Sequence, residues 1–304
     1  MIYILNLDNS VAGQPALLAR HNPVIIDALD LGPRVRLWMS RREKEFLAQR
    51  LPAHNRKQLF FLGSGDFHHL SLLFTEKINT PFCLIVFDLH PDWDIFPPRF
   101  GCGSWVSAAL KNSNLQKAVL LWQSSDDLST GALQSGNLSA LKNGRLEIYP
   151  YQHRPSFVFA RNVPASACLK VKRWPGVSKI SWEGLRQKNL GEFLTALILR
   201  LPSKKVYLSI DKYCLKKEYA ATNWEEGGFV LEGLLLMLKA IKENCEIIGA
   251  DVTGEYSPPR FSNRLKAFFA RLDHPKENSS HGLSAQEIHA RNQETNLKIL
   301  EALY

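Results

Sequence analysis

Three side chains that can bind a metal ion occur close together in the sequence, namely Asp88, His90 and Asp92. In an extended backbone successive side chains point to opposite faces, so these alternating residues would all lie on one side. Pro91 stands among them, and proline cannot continue the hydrogen-bonded ladder of a strand. The segment therefore predicts a metal site at the point where a strand ends.

Three further segments carry acidic or histidine side chains directly after predicted strands. The first contains His68 and His69 behind a glycine-rich turn. The second contains Asp211, and the third contains Asp251 and Glu255. Ligands of open α/β sheets bind at the edge where the strands end. We therefore expect all four segments to meet at one edge of a sheet.

The chemistry of these side chains indicates a divalent ion that is not a structural zinc. Carboxylates and imidazoles without a nearby thiolate suit a hard or borderline ion such as manganese. Such an ion lowers the pKa of a coordinated water enough to provide a nucleophile at neutral pH. Metal-assisted hydrolysis is therefore the leading reaction class. By contrast, we expect Asp66 and Asp94 to be helix caps, turn residues or surface carboxylates.

The pattern of apolar residues predicts alternating strands and helices. Short apolar runs predict strands over 59–62, 82–87, 118–122, 146–151, 206–210 and 247–250. Helical periodicity predicts helices over 190–201, 229–242, 263–272 and 284–303, the last with a capping box of Ser284 and Glu287. This alternation predicts an α/β fold whose mainly parallel sheet is covered on both faces. Because no repeat or linker divides the chain, we expect a single domain over residues 1–304.

The composition predicts a soluble protein that can bury a full core, with 45% hydrophobic and 22% charged residues in 304. No apolar run approaches the ~18 residues of a membrane span, and the N-terminus has no basic signal region. We therefore expect a cytoplasmic protein with no membrane contact. The five cysteines are scattered without a Cys-x-x-Cys pair, so we expect them to be reduced.

The formal net charge of +9 favours an acidic partner. The lysines and arginines are spread along the chain in short groups, and no nucleic-acid-binding motif is present. One interpretation is a surface of solvated side chains, and the other is an acidic peptide or protein partner. We expect no nucleic-acid partner, and the sequence carries no signal of an oligomeric state.

The four segments resemble the signatures of the ureohydrolases, the family of arginase and agmatinase, which shares its fold with histone deacetylases. The family signatures are Gly-Gly-Asp-His, Asp-Ala-His-x-Asp, Ser-x-Asp-x-Asp and Glu-x-Asn-Pro. Their counterparts here, in the same order, are segments 62–70, 86–94, 208–213 and 249–258. The resemblance implies a three-layer arginase- or deacetylase-like fold in which helices flank a mainly parallel central sheet.

The resemblance also implies a set of ligands for two Mn²⁺ ions, and its members are His68, Asp88, His90, Asp92 and Asp211. In this set Asp88 and Asp211 would bridge the ions. His68 and Asp92 would complete one ion, and His90 would serve the other. His69 is the alternative to His68, which aligns better with the family's His-Ser-Leu.

Substrate binding and proton transfer follow from the same resemblance. Glu255 would pair with the substrate guanidinium, since a planar fork of donors meets a carboxylate well. Gly254 is an insertion relative to the family, so Asp251 is the fallback carboxylate. The proton for the departing amine would come from Asp92, from a metal-bound water, or from Ser104 through a water.

Two departures from the family bear on activity. Tyr213 stands where the family has the second aspartate of Ser-x-Asp-x-Asp, and a phenol of pKa ~10 is a poor anionic ligand. The stretch 100–106 lacks the family's clamp for a free amino acid and its histidine proton shuttle. The chain most resembles peptide arginases, which convert arginine to ornithine within ribosomally made precursor peptides. The resemblance thus implies peptidyl arginine as substrate, with urea as the second product.

Two other interpretations of these residues stay open. One is a binding protein with the ureohydrolase fold and one metal ion or none, in which Tyr213 is a sign that catalytic activity has been lost. The other is a deacetylase of acyl-lysine or of a polyamine. Glu255 argues against a deacetylase, because a carboxylate there would favour a cation over a neutral amide.

Overall fold

The computed structural model describes residues 1–53, 57–98, 100–224, 227–273 and 282–304. Its main sheet contains eight strands: β1 (Ile2–Asn6), β2 (Val24–Asp27), β3 (Gln58–Ser64), β4 (Phe82–Phe87), β5 (Leu115–Leu121), β6 (Leu146–Tyr149), β10 (Lys205–Asp211) and β11 (Glu246–Glu255). They lie in the order β2-β1-β3-β11-β10-β4-β5-β6. All neighbouring pairs are parallel, so every strand ends at the same edge of the sheet.

The central strands form where the sequence has continuous apolar runs. All residues of β3 and β4 are buried, as expected of parallel strands with helices on both faces. The predicted α/β fold with a mainly parallel sheet flanked by helices is confirmed. Strands β1 and β2 are absent from the sequence-based prediction. In β2 three of the four residues are exposed and one is half-buried, so this edge strand has no apolar pattern to reveal it.

Helices connect and cover the strands, and those of the described chain are α1 (Pro15–His21), α2 (Gly32–Val35), α3 (Arg41–Arg50), α4 (Ser71–Thr75), α5 (Trp105–Ala109), α6 (Leu138–Lys142), α7 (Leu190–Leu199), α8 (Leu231–Asn244), α9 (Arg264–Asp273) and α10 (Ala285–Leu303). The last four match the predicted helices to within two residues. The predicted capping box of α10 is present, with Ser284 Oγ accepting from the backbone of Glu287. In the described part of the chain no helix is both long and apolar enough to cross a membrane.

A second sheet, which the sequence pattern does not predict, is inserted between β6 and α7. It consists of β7 (Ser156–Phe159), β8 (Leu169–Trp174) and β9 (Val177–Trp182), antiparallel in the order β7-β9-β8. Pro175 and Gly176 form the tight turn between β8 and β9, and Gly176 has a φ of 75°, which glycine adopts without strain. The expectation of one domain over residues 1–304 stays a prediction.

Candidate metal centre

The candidate site lies where β3, β4 and β10 end. After β3 the chain forms a 3-10 turn over Gly65–Leu70 that carries His68. Asp88 directly follows β4, and Asp211 is the last residue of β10. Asp92 has a φ of 47°, a left-handed conformation that aspartate tolerates better than most residues. The fold therefore brings three of the four predicted segments together at one edge of the sheet.

The close cluster consists of one imidazole and three carboxylates. His68 Nδ1 lies 3.0 Å from Asp88 Oδ2, 3.1 Å from Asp92 Oδ2 and 3.6 Å from Asp211 Oδ2. All four side chains are buried. His68, Asp88 and Asp92 each present one ligand atom, and these atoms lie within 4.8 Å of one another, a spacing that can hold a metal ion.

The electrostatics of the cluster call for a cation among these groups. Burial and then the Asp88 charge raise the pKa of Asp92 to about 6 and that of Asp211 to about 8. Burial alone would lower the pKa of His68, but the carboxylates of Asp88 and Asp92 hold it well above its usual value. A bound divalent ion would offset the repulsion among the carboxylates, so the donor set fits a metal.

A chain of hydrogen bonds orients His68 from behind. Its Nε2 lies 2.8 Å from Ser209 Oγ, and Ser209 Oγ donates to Asp251 Oδ1 at 2.7 Å. Asp251 also accepts from Tyr207 Oη at 2.8 Å and from Ser71 Oγ at 2.9 Å. Since the Ser209 proton points to Asp251, Nε2 must be the donor, which leaves Nδ1 as the atom that faces the cluster and can bind a metal once it loses its proton. Asp251 is thus committed to this network, and the structure does not support it as a carboxylate for substrate.

His90 stands apart from the close cluster, so the predicted alternation of three ligands on an extended strand is wrong. The backbone bends between Asp88 and Asp92, which brings the two carboxylates to His68 and leaves His90 to the side. His90 Nδ1 is 3.9 Å from Asp88 Oδ1, and its side chain is 23% exposed. It lies on the side of Asp88 Oδ1, whereas His68 contacts Oδ2, so His90 could serve a second ion but not the one held by the close cluster.

Tyr213 fills the space beside His90. Its ring lies edge-on to His90, with centroids 6.5 Å apart, and it is tilted against Trp224 at 6.4 Å. A β carbon at Gly65 would come within 2.4 Å of Tyr213 Cε2 and Cζ. Gly65 therefore leaves the room that the Tyr213 ring occupies. Gly65 and Tyr213 thus complement each other, which argues against an isolated, damaging change at Tyr213.

Glu255 points away from the cluster, in contrast to its predicted role. Its Oε1 accepts from Lys212 Nζ at 2.5 Å and from Asn296 Nδ2 at 2.7 Å, and its Oε2 accepts from Gln14 Nε2 at 3.1 Å. Both Glu255 and Lys212 are buried. The cause is a break in the β11 register around Gly254, whose φ is 91°. No contact among the described residues joins Glu255 to the close cluster.

The alternative residues His69 and Ser104 also have other partners. His69 Nδ1 lies 3.4 Å from Cys102 Sγ, and burial lowers the pKa of this histidine to about 3. His68 is therefore the histidine that faces the cluster of carboxylates. Ser104 Oγ donates to the Pro98 carbonyl at 2.5 Å, which closes its own turn, so the proton relay through Ser104 has no support in the structure.

Asp66 is neither a simple cap nor a surface carboxylate, in contrast to the expectation from the sequence. It is buried and accepts from Arg36 Nη1 at 2.6 Å and from the Trp224 indole. Asp94 fits the expectation better, since it accepts from Ser135 Oγ at 2.8 Å in a turn. The roles of Arg36 and Trp224 have no sequence signal, because their partners are far away in the chain. Ser209, by contrast, lies two residues before Asp211 on the same strand face.

No model of a known protein family matches the sequence. The chain is 32% identical over 212 residues to an uncharacterized protein of Thermotoga maritima. The match includes 69% of this chain and 62% of that relative, so the chain spans less than two thirds of the relative's length.

Solved structures match the chain over nearly all of its length. Arginase from Bacillus subtilis has a TM-score of 0.59 with 12% identity, and the match covers 99% of this chain and 96% of that one. The chain has the arginase fold. Formimidoylglutamase from Bacillus subtilis gives 0.59 with 12% identity, covering 99% and 85%. Agmatine ureohydrolase of Thermoplasma volcanium gives 0.51 with 10% identity, covering 98% and 90%. At these identities the arginase fold is what the chain shares with them.

Proposed function

We propose that this protein is a metal-dependent hydrolase of amidino carbon–nitrogen bonds that converts peptidyl arginine to ornithine and urea in the cytoplasm, with Mn²⁺ as its metal. The observation that carries the proposal is the buried cluster of His68 and three carboxylates at the sheet edge of an arginase fold. Enzymes with this fold include arginase, formimidoylglutamase and agmatine ureohydrolase.

His68, Asp88, Asp92 and Asp211 would hold one divalent ion, and His90 with the second oxygen of Asp88 would face another. The metal would supply a water of lowered pKa as the nucleophile for the guanidinium carbon. Asp92 remains our candidate for delivering a proton to the departing amine. Trp105 Nε1 donates to Asp92 Oδ2 at 2.8 Å and so fixes the direction of this carboxylate.

A peptide substrate is favoured over free arginine by the loop between Asp92 and α5. Gly101 and Ser104 are hydrogen-bonded to each other in both directions, at 3.1 and 3.4 Å. Cys102 Sγ contacts the carbonyl of Asp66 at 3.2 Å. The side chains of Cys102 and Ser104 are engaged by these contacts and Gly101 has no side chain, so none of the three is left to clamp the α-carboxylate of a free amino acid. Amide-bonded arginine needs no such clamp.

The direct test is urea release from an acetylated, amidated arginine peptide and from free arginine, each with added Mn²⁺, Mg²⁺ or Zn²⁺. We expect Mn²⁺-dependent urea release from the peptide in preference to free arginine. Asp88→Asn should abolish it together with metal binding. Asp94→Asn is the matched control and should retain both. Equal turnover without metal, or no turnover with any of the three ions, would contradict the proposal.

A second candidate is a binding protein that does not turn over its ligand. Two observations favour it: Tyr213 fills the space beside His90, and the carboxylate of Glu255 is held by Lys212. Because Glu255 is engaged, it also no longer argues against a deacetylase. A protein that binds the arginine peptide without releasing urea would support the binding role. Acetate release from acetyl-lysine or acetylated polyamine would support the deacetylase.

A further inference from the structure

The positive charge of the chain is concentrated in the second sheet and its connections. Residues 151–182 contain six lysines and arginines and no aspartate or glutamate, so they carry +6 of the formal net charge of +9. The six are Arg154, Arg161, Lys170, Lys172, Arg173 and Lys179. Elsewhere in the chain acidic residues nearly balance the basic ones. The excess charge is therefore a local property of this sheet.

The outer face of the second sheet combines aromatic rings with lysines. Strand register places Phe157 opposite Lys179 and Lys179 opposite Lys172, and it places Val177 between Phe159 and Trp174. These residues alternate with buried ones along β7 and β9, so they share the face that is turned away from the protein. We call Phe157, Phe159, Lys172, Trp174, Val177 and Lys179 the aromatic–basic face.

Side chains on the aromatic–basic face are exposed and largely without partners. Phe159 is 54% and Trp174 43% exposed, which is high for such large apolar rings. Lys172 Nζ lies 5.2 Å from the centroid of the Trp174 ring. Neither Lys172 nor Lys179 forms an ion pair with a described residue. Clustered exposed aromatic residues with unpaired charge of one sign are typical of a protein interaction site.

The second sheet is joined to the rim of the candidate metal centre. Ser156 Oγ donates to the carbonyl of Leu128, while Phe157 N donates to Thr130 Oγ1 at 3.1 Å. Leu128 ends the short turn Asp126–Leu128, and Asp127 Oδ2 of this turn accepts from Ser125 Oγ at 2.8 Å. The loop that leads to Asp127 is itself bonded to the Leu89 carbonyl through Ser125 N. A polypeptide bound to this sheet could therefore continue toward the cluster.

We infer that the aromatic–basic face docks an acidic segment with apolar side chains that belongs to the substrate polypeptide, at a distance from the arginine. The inference rests on the proposed function and locates the partner that this function requires. The glutamates or aspartates of such a segment would pair with Lys172 and Lys179, and its apolar side chains would cover Phe159 and Trp174. A nucleic acid fits less well, because binding to phosphates needs more unpaired cations than this face offers.

The test measures binding without turnover, by fluorescence anisotropy of a labelled peptide in which glutamates alternate with leucines and phenylalanines. The same peptide with glutamine for glutamate is the control ligand. We expect the double variant Lys172→Glu, Lys179→Glu to weaken binding about tenfold or more. Trp174→Ala, which keeps the charge, should also weaken it. Binding to the parent protein should weaken as NaCl rises.

Lys239→Glu, Lys242→Glu on α8 is the matched control, since both lysines are exposed and the net charge changes equally. It should leave affinity unchanged. Unchanged affinity in the second-sheet variants, or tighter binding of duplex DNA or anionic vesicles than of the acidic peptide, would overturn the inference. Urea release from a short arginine peptide should be the same in all these variants. If the proposed function is wrong, urea release is absent from the parent protein as well, whereas the peptide-binding results still test the inference.

Discussion

Gly65 and Tyr213 depend on each other, since a β carbon at position 65 would overlap the tyrosine ring. We predict that Gly65→Ala destabilises the protein by about 1–3 kcal/mol, the usual cost of overfilling a core. Urea-induced unfolding followed by circular dichroism measures this free energy. In a Tyr213→Ala background the alanine should cost little, because the space is then empty. An equal cost in both backgrounds would contradict the proposed complementarity.

Ser209 connects the proposed metal ligand His68 to the buried carboxylate of Asp251. Side chains that orient a metal ligand usually contribute about 10–100-fold to metal affinity. We therefore predict that Ser209→Ala weakens Mn²⁺ binding by about this factor, as measured by titration calorimetry. Ser203→Ala, whose hydroxyl donates to the Pro81 carbonyl, is the control and should bind Mn²⁺ like the parent.

Sequence reasoning at the residue scale succeeds where a side chain follows a strand and fails where the backbone departs from regular geometry. His68, Asp88, Asp92 and Asp211 meet because parallel strands end at one edge. A motif cannot show the bend between Asp88 and Asp92 that sets His90 aside. For the same reason the break in the β11 register is visible in the sequence only as one extra glycine.

At the scale of elements, the Glu255–Lys212 ion pair joins four parts of the chain. It links the end of β11 to the turn after β10, while Asn296 of α10 and Gln14 before α1 complete its hydrogen bonds. Removing one partner of a buried ion pair leaves an unpaired charge and costs about 3–5 kcal/mol. We predict this loss for Glu255→Gln in chemical unfolding.

The double variant Lys212→Met, Glu255→Gln removes both charges and should recover much of that stability. It also distinguishes a structural role of Glu255 from a role in binding the substrate. If Glu255 only supports the fold, the stable double variant keeps its urea release. Loss of peptide binding with normal metal content in that variant would restore Glu255 as the guanidinium carboxylate.

Elements are predictable from the sequence in proportion to how deeply they are buried. The core strands of the main sheet and helices α7 to α10 have clear periodic patterns. In the second sheet, the exposed positions of β7 and β8 hold aromatic or basic residues where an amphipathic strand would hold neutral polar ones. Phe157 and Phe159 therefore make the outer face of β7 resemble an inner one, and the pattern does not identify the strand.

At the scale of the whole molecule, the buried carboxylates predict how stability depends on pH. Asp211, with a pKa raised to about 8, and His68, with a raised pKa, both hold protons in the folded metal-free protein that the unfolded chain releases. Between pH about 6.5 and 8 the metal-free protein should therefore lose stability as pH rises. The lowered pKa of His69 acts in the opposite direction, but only below pH ~6.5, where an unfolded histidine takes up a proton.

Thermal unfolding after treatment with a chelator measures this effect. We expect Tm of the metal-free protein to fall over this pH range, and the stabilisation by Mn²⁺ to grow, because metal and protons compete for the same atoms. A Tm difference between metal-loaded and metal-free protein that stays constant with pH would mean that the metal does not bind at these groups.

The net charge of the whole chain does not show where the excess positive charge lies. Along the chain the basic residues are spread out in short groups, which gives no sign of a patch. The informative property is the absence of acidic residues over 151–182. The basic residues of this range form a surface only because the three strands lie side by side. Sequence separation hides this neighbourhood, because Phe159 and Trp174 come together through pairing with β9.

The contact between Gly65 and Tyr213 also restricts which pairs of residues can evolve at these two positions. A large residue can enter position 213 only in a lineage where position 65 has no side chain, so the two substitutions should be acquired in a fixed order, glycine first. Homologous proteins should therefore divide into two groups at these positions. In one group, glycine at position 65 accompanies an aromatic residue at 213. In the other group, position 213 holds a small residue and this contact does not restrict position 65. An alignment of relatives would reveal this pairing as covariation.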